Sequence, residues 1–310
     1  MMTSSGAEHA PSIHQHTLAR STQWRVGELR RRRTDVLMVH PAEADTGLRF
    51  VRHGAEPGAG TILAHWDAVV DTRNGIVLGN THGITLRGAI PLLAALRVAG
   101  VDNAVVEVHG PRISAQVSDF DSYLDMLADA GVQTQTAARR LLCVTDTVEV
   151  RDRFGFVTLS PATEFRVCVN MTTTQPGGKT DTAYATLLSD FTEPNAGFSG
   201  TLGGSRVEQL VQAGGAGVPR LLREICALPE PLRATLVDMI GLLALAGAPV
   251  AANVRGHNSG PRLYQSLLHA IMERRAISFT TVDAHRARHG STAHAVTNAA
   301  IKSGCGSDFC

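Results

Sequence analysis

Apolar residues recur along this chain at two periods, and the switches between them mark a series of strands and helices that runs through twice. Alternation begins at Gln15-His-Thr-Leu-Ala-Arg20 and returns at Thr34–Val39, which predicts strands. Pro41–Phe50 gives a Gly-containing turn and another strand, and Trp66–Val77 a strand pair turning at Asn74-Gly75, a dipeptide that tolerates positive φ. Ile90, Leu93 and Leu96 then take helical spacing over Gly88–Ala99. Pro91 falls in the first turn, where its missing N–H does no harm. Gly100–His109 reads as turn and buried strand. Ser118–Gly131 is a second helix, with Phe120, Tyr123, Leu124 and Leu127 on one face and Gly131 as its stop.

The second half repeats this outline. Strands are predicted within Arg140–Val150, Arg153–Leu159 and Glu164–Met171, followed by a Thr/Gly/Pro loop over Thr172–Thr182 and a Gly-rich stretch over Phe198–Gly217. Helices follow at Val218–Cys226 and Leu232–Ala246, a strand at Pro249–Val254 and a helix at Pro261–Ala276. The helix from Leu232 to Leu243 is informative. Leu232, Leu236, Met239, Ile240 and Leu243 form its apolar stripe, and Arg233 and Asp238 are its only charges. A carboxylate on or near such a stripe needs a partner, a metal or a proton, the everyday solution being an arginine nearby.

Composition bounds the function. The 310 residues are 44% apolar, enough for a large core, and 29 basic residues against 28 acidic leave a net charge of +1. Such a balance provides no general field for nucleic acid, so an anionic ligand must meet a local cluster. The run Arg30–Arg33 is read as a solvated hairpin face rather than a phosphate contact. Cys143, Cys168 and Cys226, in apolar runs, are read as small buried hydrophobes, and Cys305 and Cys310 lie in a Gly/Ser tail. An odd cysteine count, no signal peptide and no transmembrane segment lead to the expectation of a cytoplasmic protein.

Several of these stretches resemble the UDP-3-O-acyl-N-acetylglucosamine deacetylase family, zinc amidases of lipid A biosynthesis. The segments Gln15–Arg20, Pro41–Phe50, Gly100–Val108 and Arg233–Asp238, and Gly256-His257, follow that family's patterns in order. The resemblance covers most of residues 15–277. It implies an α/β (α+β) fold of two similar two-layer domains, each a sheet with two helices, the helices packed between the two sheets. The expected division is 1–14 as lead-in, 15–138 and 139–277 as the two domains, and 278–310 as a C-terminal tail.

The same resemblance implies a zinc site that this chain does not furnish. The family carries a catalytic Glu and a ligand His at the start of its first-domain helix, and a His and an Asp ligand at i and i+4 on a second-domain helix. Here Ile90 and Pro91 stand at the first pair of positions and Ala234 and Asp238 at the second. Asp238 is the only family ligand kept, and Pro91 and Ala234 replace the two histidines. His257, after Gly256, matches the family's remaining catalytic histidine, so Asp238 and His257 are the candidate catalytic residues. Other donors are His82, His109 and the polar stretch with His285, His289 and His294, which is read as a solvated tail. No G-x-S-x-G, P-loop or Cys-x-x-Cys pattern offers a substitute chemistry.

The expectation from sequence is thus a catalytically degenerate homologue acting by binding or regulation, with no cofactor. Its partners would be an acylated UDP-sugar or an active deacetylase paralogue. The alternative is a hydrolase with a metal-free Asp/His site or a rearranged zinc site.

Overall fold

A computed structural model of the chain describes residues 13–25, 36–56, 58–113, 117–174, 180–189, 228 and 230–289. Its first half runs β1 (His14–Leu18), β2 (Thr22–Arg25), β3 (Val36–Pro41), β4 (Leu48–Arg52), β5 (Thr61–Leu63), β6 (Val69–Asp71), β7 (Val77–Gly79), β8 (Thr85–Arg87), α1 (Ile90–Val98), β9 (Ala104–Val108), α2 (Val117–Ala130) and β10 (Val132–Ala138). The second half has β11 (Arg140–Val144), β12 (Val148–Arg151), β13 (Phe156–Pro161), β14 (Phe165–Thr174), β15 (Thr180–Ser189), α3 (Glu230–Leu243), β16 (Val250–His257), α4 (Pro261–Glu273), β17 (Ile277–Thr281) and α5 (Val282–His289).

Each half has its own sheet. The first has the order β2-β3-β9-β4-β5, with β4 and β9 parallel and the other pairs antiparallel. The second is built around β16, which pairs with β13, β14 and β11, while β12, β15 and β17 extend it. Between the sheets α1 packs on α2 and α3, and α3 packs on α4. Leucines of α1, aromatic residues of α2 and the apolar stripe of α3 join inward residues of both sheets in one core. The alternation along β9 explains its placement: Ala104, Val106 and Val108 are buried toward the helices, while Val105 and Glu107 face outward. The expected fold of two sheet-and-helix halves with helices between the sheets is the one observed.

The residues that resemble the family converge on one polar knot. Asn103 donates to Gln15 Oε1 at 2.9 Å and to Gln135 Oε1 at 2.8 Å, and its Oδ1 accepts from the Gly47 N–H. Gln15 donates in turn to Asp45, and Thr17 donates to the Asn103 carbonyl. Beside it, Arg139, at the junction of the halves, lies 3.1 Å from the Asp102 carboxylate and donates to the Gly100 carbonyl. Burial alone would raise the Asp102 pKa, but Arg139, His16 and Arg97 hold the carboxyl below its ordinary range.

Three expectations need correction. Thr172–Thr182 is no simple loop: β14 and β15 carry the hairpin through Thr174 and resume it at Thr180, with Thr172 opposite Thr182. Threonine is β-branched and favours extended backbone, which outweighs the turn residues on either side. Residues 278–289 are not tail, because β17 pairs antiparallel with β11 and α5 follows it. Cys168 is disulfide-bonded, not a free buried thiol. The arginine run, the Phe198–Gly217 stretch, the Val218–Cys226 helix, His294 and the terminal cysteines lie outside the described residues. Among the described residues, no helix is long and apolar enough to cross a membrane.

Candidate active site

Where α3 crosses α1, a glycine sets the distance. A side chain at Gly241 would run into the carbonyl and side chain of Ile90, so the two helices touch there backbone to backbone. Asp238 precedes Gly241 by three residues, so the Asp238 face of α3 is the face presented to the start of α1. That start is apolar: Ile90, Pro91, Leu92 and Leu93 are all buried.

Asp238 is half-buried, and this burial pushes its carboxyl up to about 6. The arginine on its own helix does not relieve it. Arg233 pairs with Asp121 of α2, and among the described residues no cation or donor is bonded to Asp238. Its charged neighbourhood includes Tyr264 of α4, whose phenol is held well above its usual range mainly by burial, with Asp238 adding to the rise. Tyr264 shares a 2.8 Å hydrogen bond with Ser259, itself buried. On the turn preceding Asp238, Thr235 donates to the Pro231 carbonyl at 3.0 Å and contacts the Met171 sulfur at 3.2 Å.

His257 ends β16 opposite Phe156, and the two rings stack with centroids 5.9 Å apart. Its Nε2 lies 3.3 Å from Asn258 Nδ2. Asn258 has a positive φ of 45° and is pinned by the Thr172 N–H, which donates to its side chain, and by its own N–H to the Asn170 carbonyl. No hydrogen bond or ion pair joins His257 to Asp238, so the structure holds them as separate groups.

The remaining candidates are dispersed. His82 is exposed in a turn. His285 is buried, with Nε2 2.8 Å from the Thr163 carbonyl, Nδ1 3.4 Å from Cys143 Sγ and its ring 4.7 Å from that of His289. This is a packed core histidine and not the solvated residue expected. His109 faces the outer side of the first sheet beside Glu107 and His53. Sequence reasoning missed an open cleft of about 640 Å³ between the β12–β13 turn and α4, lined by Arg151, Arg153, Phe154 and Arg262 among others. Its signal lay in Arg151-Asp-Arg-Phe154, arginines flanking a turn beside an exposed aromatic ring.

The model of the UDP-3-O-acyl N-acetylglycosamine deacetylase family matches residues 15–196, more than half of the chain. The chain belongs to this family. It is 29% identical to the UDP-3-O-acyl-N-acetylglucosamine deacetylase of Thermosynechococcus vestitus, over 89% of this chain and 100% of that protein. Identity is 32% to the deacetylase of Phenylobacterium zucineum, over 76% of this chain and 85% of the relative. With the deacetylase of a Geobacter species it is 29%, over 84% and 90%. Similarity therefore runs through both halves, including the helices that frame the site. At the positions where the resemblance implies a base and zinc ligands, Ile90, Pro91 and Ala234 carry side chains without a donor atom, and Asp238 carries a carboxylate.

Proposed function

We propose that this chain is a deacetylase-family protein without zinc-dependent hydrolysis, which binds an acylated nucleotide-sugar in the groove its relatives use for catalysis. The observation that carries the reading is the packing around Asp238. Its helix closes directly on Ile90 through Gly241, and the carboxyl is left half-buried and unpaired among the described residues. A zinc site needs about three protein ligands and an open position for water. Here one carboxylate remains. The cleft supports the ligand class, since Arg153 and Arg262 offer guanidinium groups that match diphosphate oxygens and an exposed Phe154 offers a face to a base, while Arg151 is paired with Glu149 and Asp152 also lines the wall. It adjoins the His257 end of β16, because the Arg151 guanidinium lies over Phe156 and Phe156 stacks on His257. An active deacetylase paralogue, competing for the same nucleotide-sugar, is the partner this reading implies.

A second reading has one observation in its favour. A carboxyl raised to about 6 can exchange protons near neutral pH, so Asp238 has the acidity of a general acid or base. It would need a nucleophilic water, and His257 is not bonded to it.

Two measurements on purified, tag-free protein test the proposal. Calorimetric titration with UDP should show saturable binding that weakens about tenfold or more in Arg262→Ala. Incubation with an acylated UDP-N-acetylglucosamine derivative and zinc should release no acetate. Acetate release that is lost in Asp238→Ala would overturn the proposal in favour of the hydrolase, and UDP binding unaffected by Arg262→Ala would remove the cleft from it.

A further inference from the structure

The outer face of the first sheet carries a cluster that neither the fold nor the site above requires. Glu107 points outward from β9, at the centre of the sheet. His53, just past the end of β4, places Nδ1 2.5 Å from Glu107 Oε1. His109, just past the end of β9, places Nε2 3.6 Å from the same oxygen. The two imidazoles stack with centroids 4.0 Å apart and planes 19° apart, and the ligand atoms of all three residues lie within 4.8 Å of one another. The arrangement has a support behind it. His40 of β3 sets Nε2 3.6 Å from Glu107 Oε2, while its Nδ1 lies 2.9 Å from Ser21 Oγ.

The geometry points to a binding site for a divalent transition-metal ion, zinc foremost, formed by His53, Glu107 and His109. A tetrahedral zinc with bonds of about 2.0–2.2 Å requires its ligand atoms about 3.4 Å apart. The 2.5 and 3.6 Å separations from Glu107 bracket that spacing, and both histidines are free enough to complete it by small side-chain rotations. Two imidazole nitrogens and one carboxylate oxygen suit zinc, copper, nickel or cobalt and disfavour calcium and magnesium, which take oxygen ligands. His40 stands in the supporting position: its Nε2 is 3.6 Å from the free oxygen of the ligating carboxylate, close enough to bond it after a small rotation, and its Nδ1 is held by Ser21. A bound ion ties the chain leaving β4 to the chain leaving β9, and its fourth position opens to solvent. This site lies on the face of the sheet opposite the helices, so it does not depend on the reading of Asp238 given above.

The test uses the full-length, tag-free protein after chelation, titrated with cobalt(II) followed by absorption and with zinc by calorimetry. The expected result is one cobalt per chain with the intense visible bands of four-coordination, displaced by zinc and not by calcium. His53→Ala and His109→Ala should each weaken binding more than tenfold, and His40→Ala by about tenfold. Asp238→Ala should leave it unchanged, which separates this site from any metal in the family position. His40, His53, Glu107 and His109 have side chains at or near the surface, so folding of those variants, checked by circular dichroism, should be intact. Absence of saturable binding, or binding of equal strength in a protein carrying His53→Ala, Glu107→Gln and His109→Ala together, would overturn the assignment.

Discussion

Asp238 is the residue at which the history of the site turns into a measurable property. Its carboxyl is raised from an ordinary 3.8 to about 6 by burial, so the folded chain holds this proton more tightly than the unfolded chain does. Stability therefore falls as pH rises from about 4 through about 6 and stays lower above that, because the unfolded state ionises first. Asp238→Asn removes the ionisation. It should raise the unfolding free energy at about pH 8 by roughly 1–3 kcal/mol and change it little at about pH 4, as measured by urea denaturation at both values. If Asp238 held a metal, the same substitution would lower stability at about pH 8, so the sign alone decides. This residue was legible beforehand, since a carboxylate on an apolar helical stripe is conspicuous. It could not show that Arg233 turns away to Asp121, because which cation meets which carboxylate depends on the neighbouring helix α2.

Among the elements, α1 and α3 matter most to the site, and their crossing depends on a residue with no side chain. Gly241→Ala would drive a methyl group into the Ile90 carbonyl, where backbone cannot yield as a flexible side chain would. The helices should separate, at a cost of about 2–3 kcal/mol in stability measured by chemical denaturation, and the burial of Asp238 should decrease with them. Cobalt binding at His53, Glu107 and His109 should survive, since that cluster lies on the far side of the first sheet. Both helices were legible from their 3.6-residue period, and so was the Pro91 start of α1. The β14–β15 hairpin was not read beyond Met171. Its threonines looked like loop residues, and pairing between strands is a relation that no single stretch displays. Residues 278–289 failed for the same reason: Ser278–Thr281 is polar enough to pass for tail until β11 pairs with it.

At the scale of the whole molecule, the segments that carry the family resemblance are joined to one another inside the first half. Gln15, Thr17, Gly47 and Asn103 come from three separate segments that matched the family pattern, and they meet in one hydrogen-bonded knot beside the Arg139 junction. This is why the fold could be read from short motifs while the metal cluster on the outer sheet could not, since His53, Glu107 and His109 are brought together only by the parallel pairing of β4 and β9. The zinc site of the family likewise exists only through assembly, drawing donors from α1 in one half and α3 in the other. If the frame is kept and only side chains were lost, the site can be rebuilt. Pro91 occupies the first turn of α1, where a histidine can take the same backbone, and Ala234 is partly exposed, one helical turn before Asp238. The variant carrying Ile90→Glu, Pro91→His and Ala234→His tests this, and should bind one more zinc per chain than the parent if the frame is kept. Adding Asp238→Ala should abolish that ion and leave the outer one in place, with inductively coupled plasma mass spectrometry counting both. A folded variant with no added zinc would mean that the halves have closed on the empty site, and that the frame as well as the ligands has departed from the deacetylases.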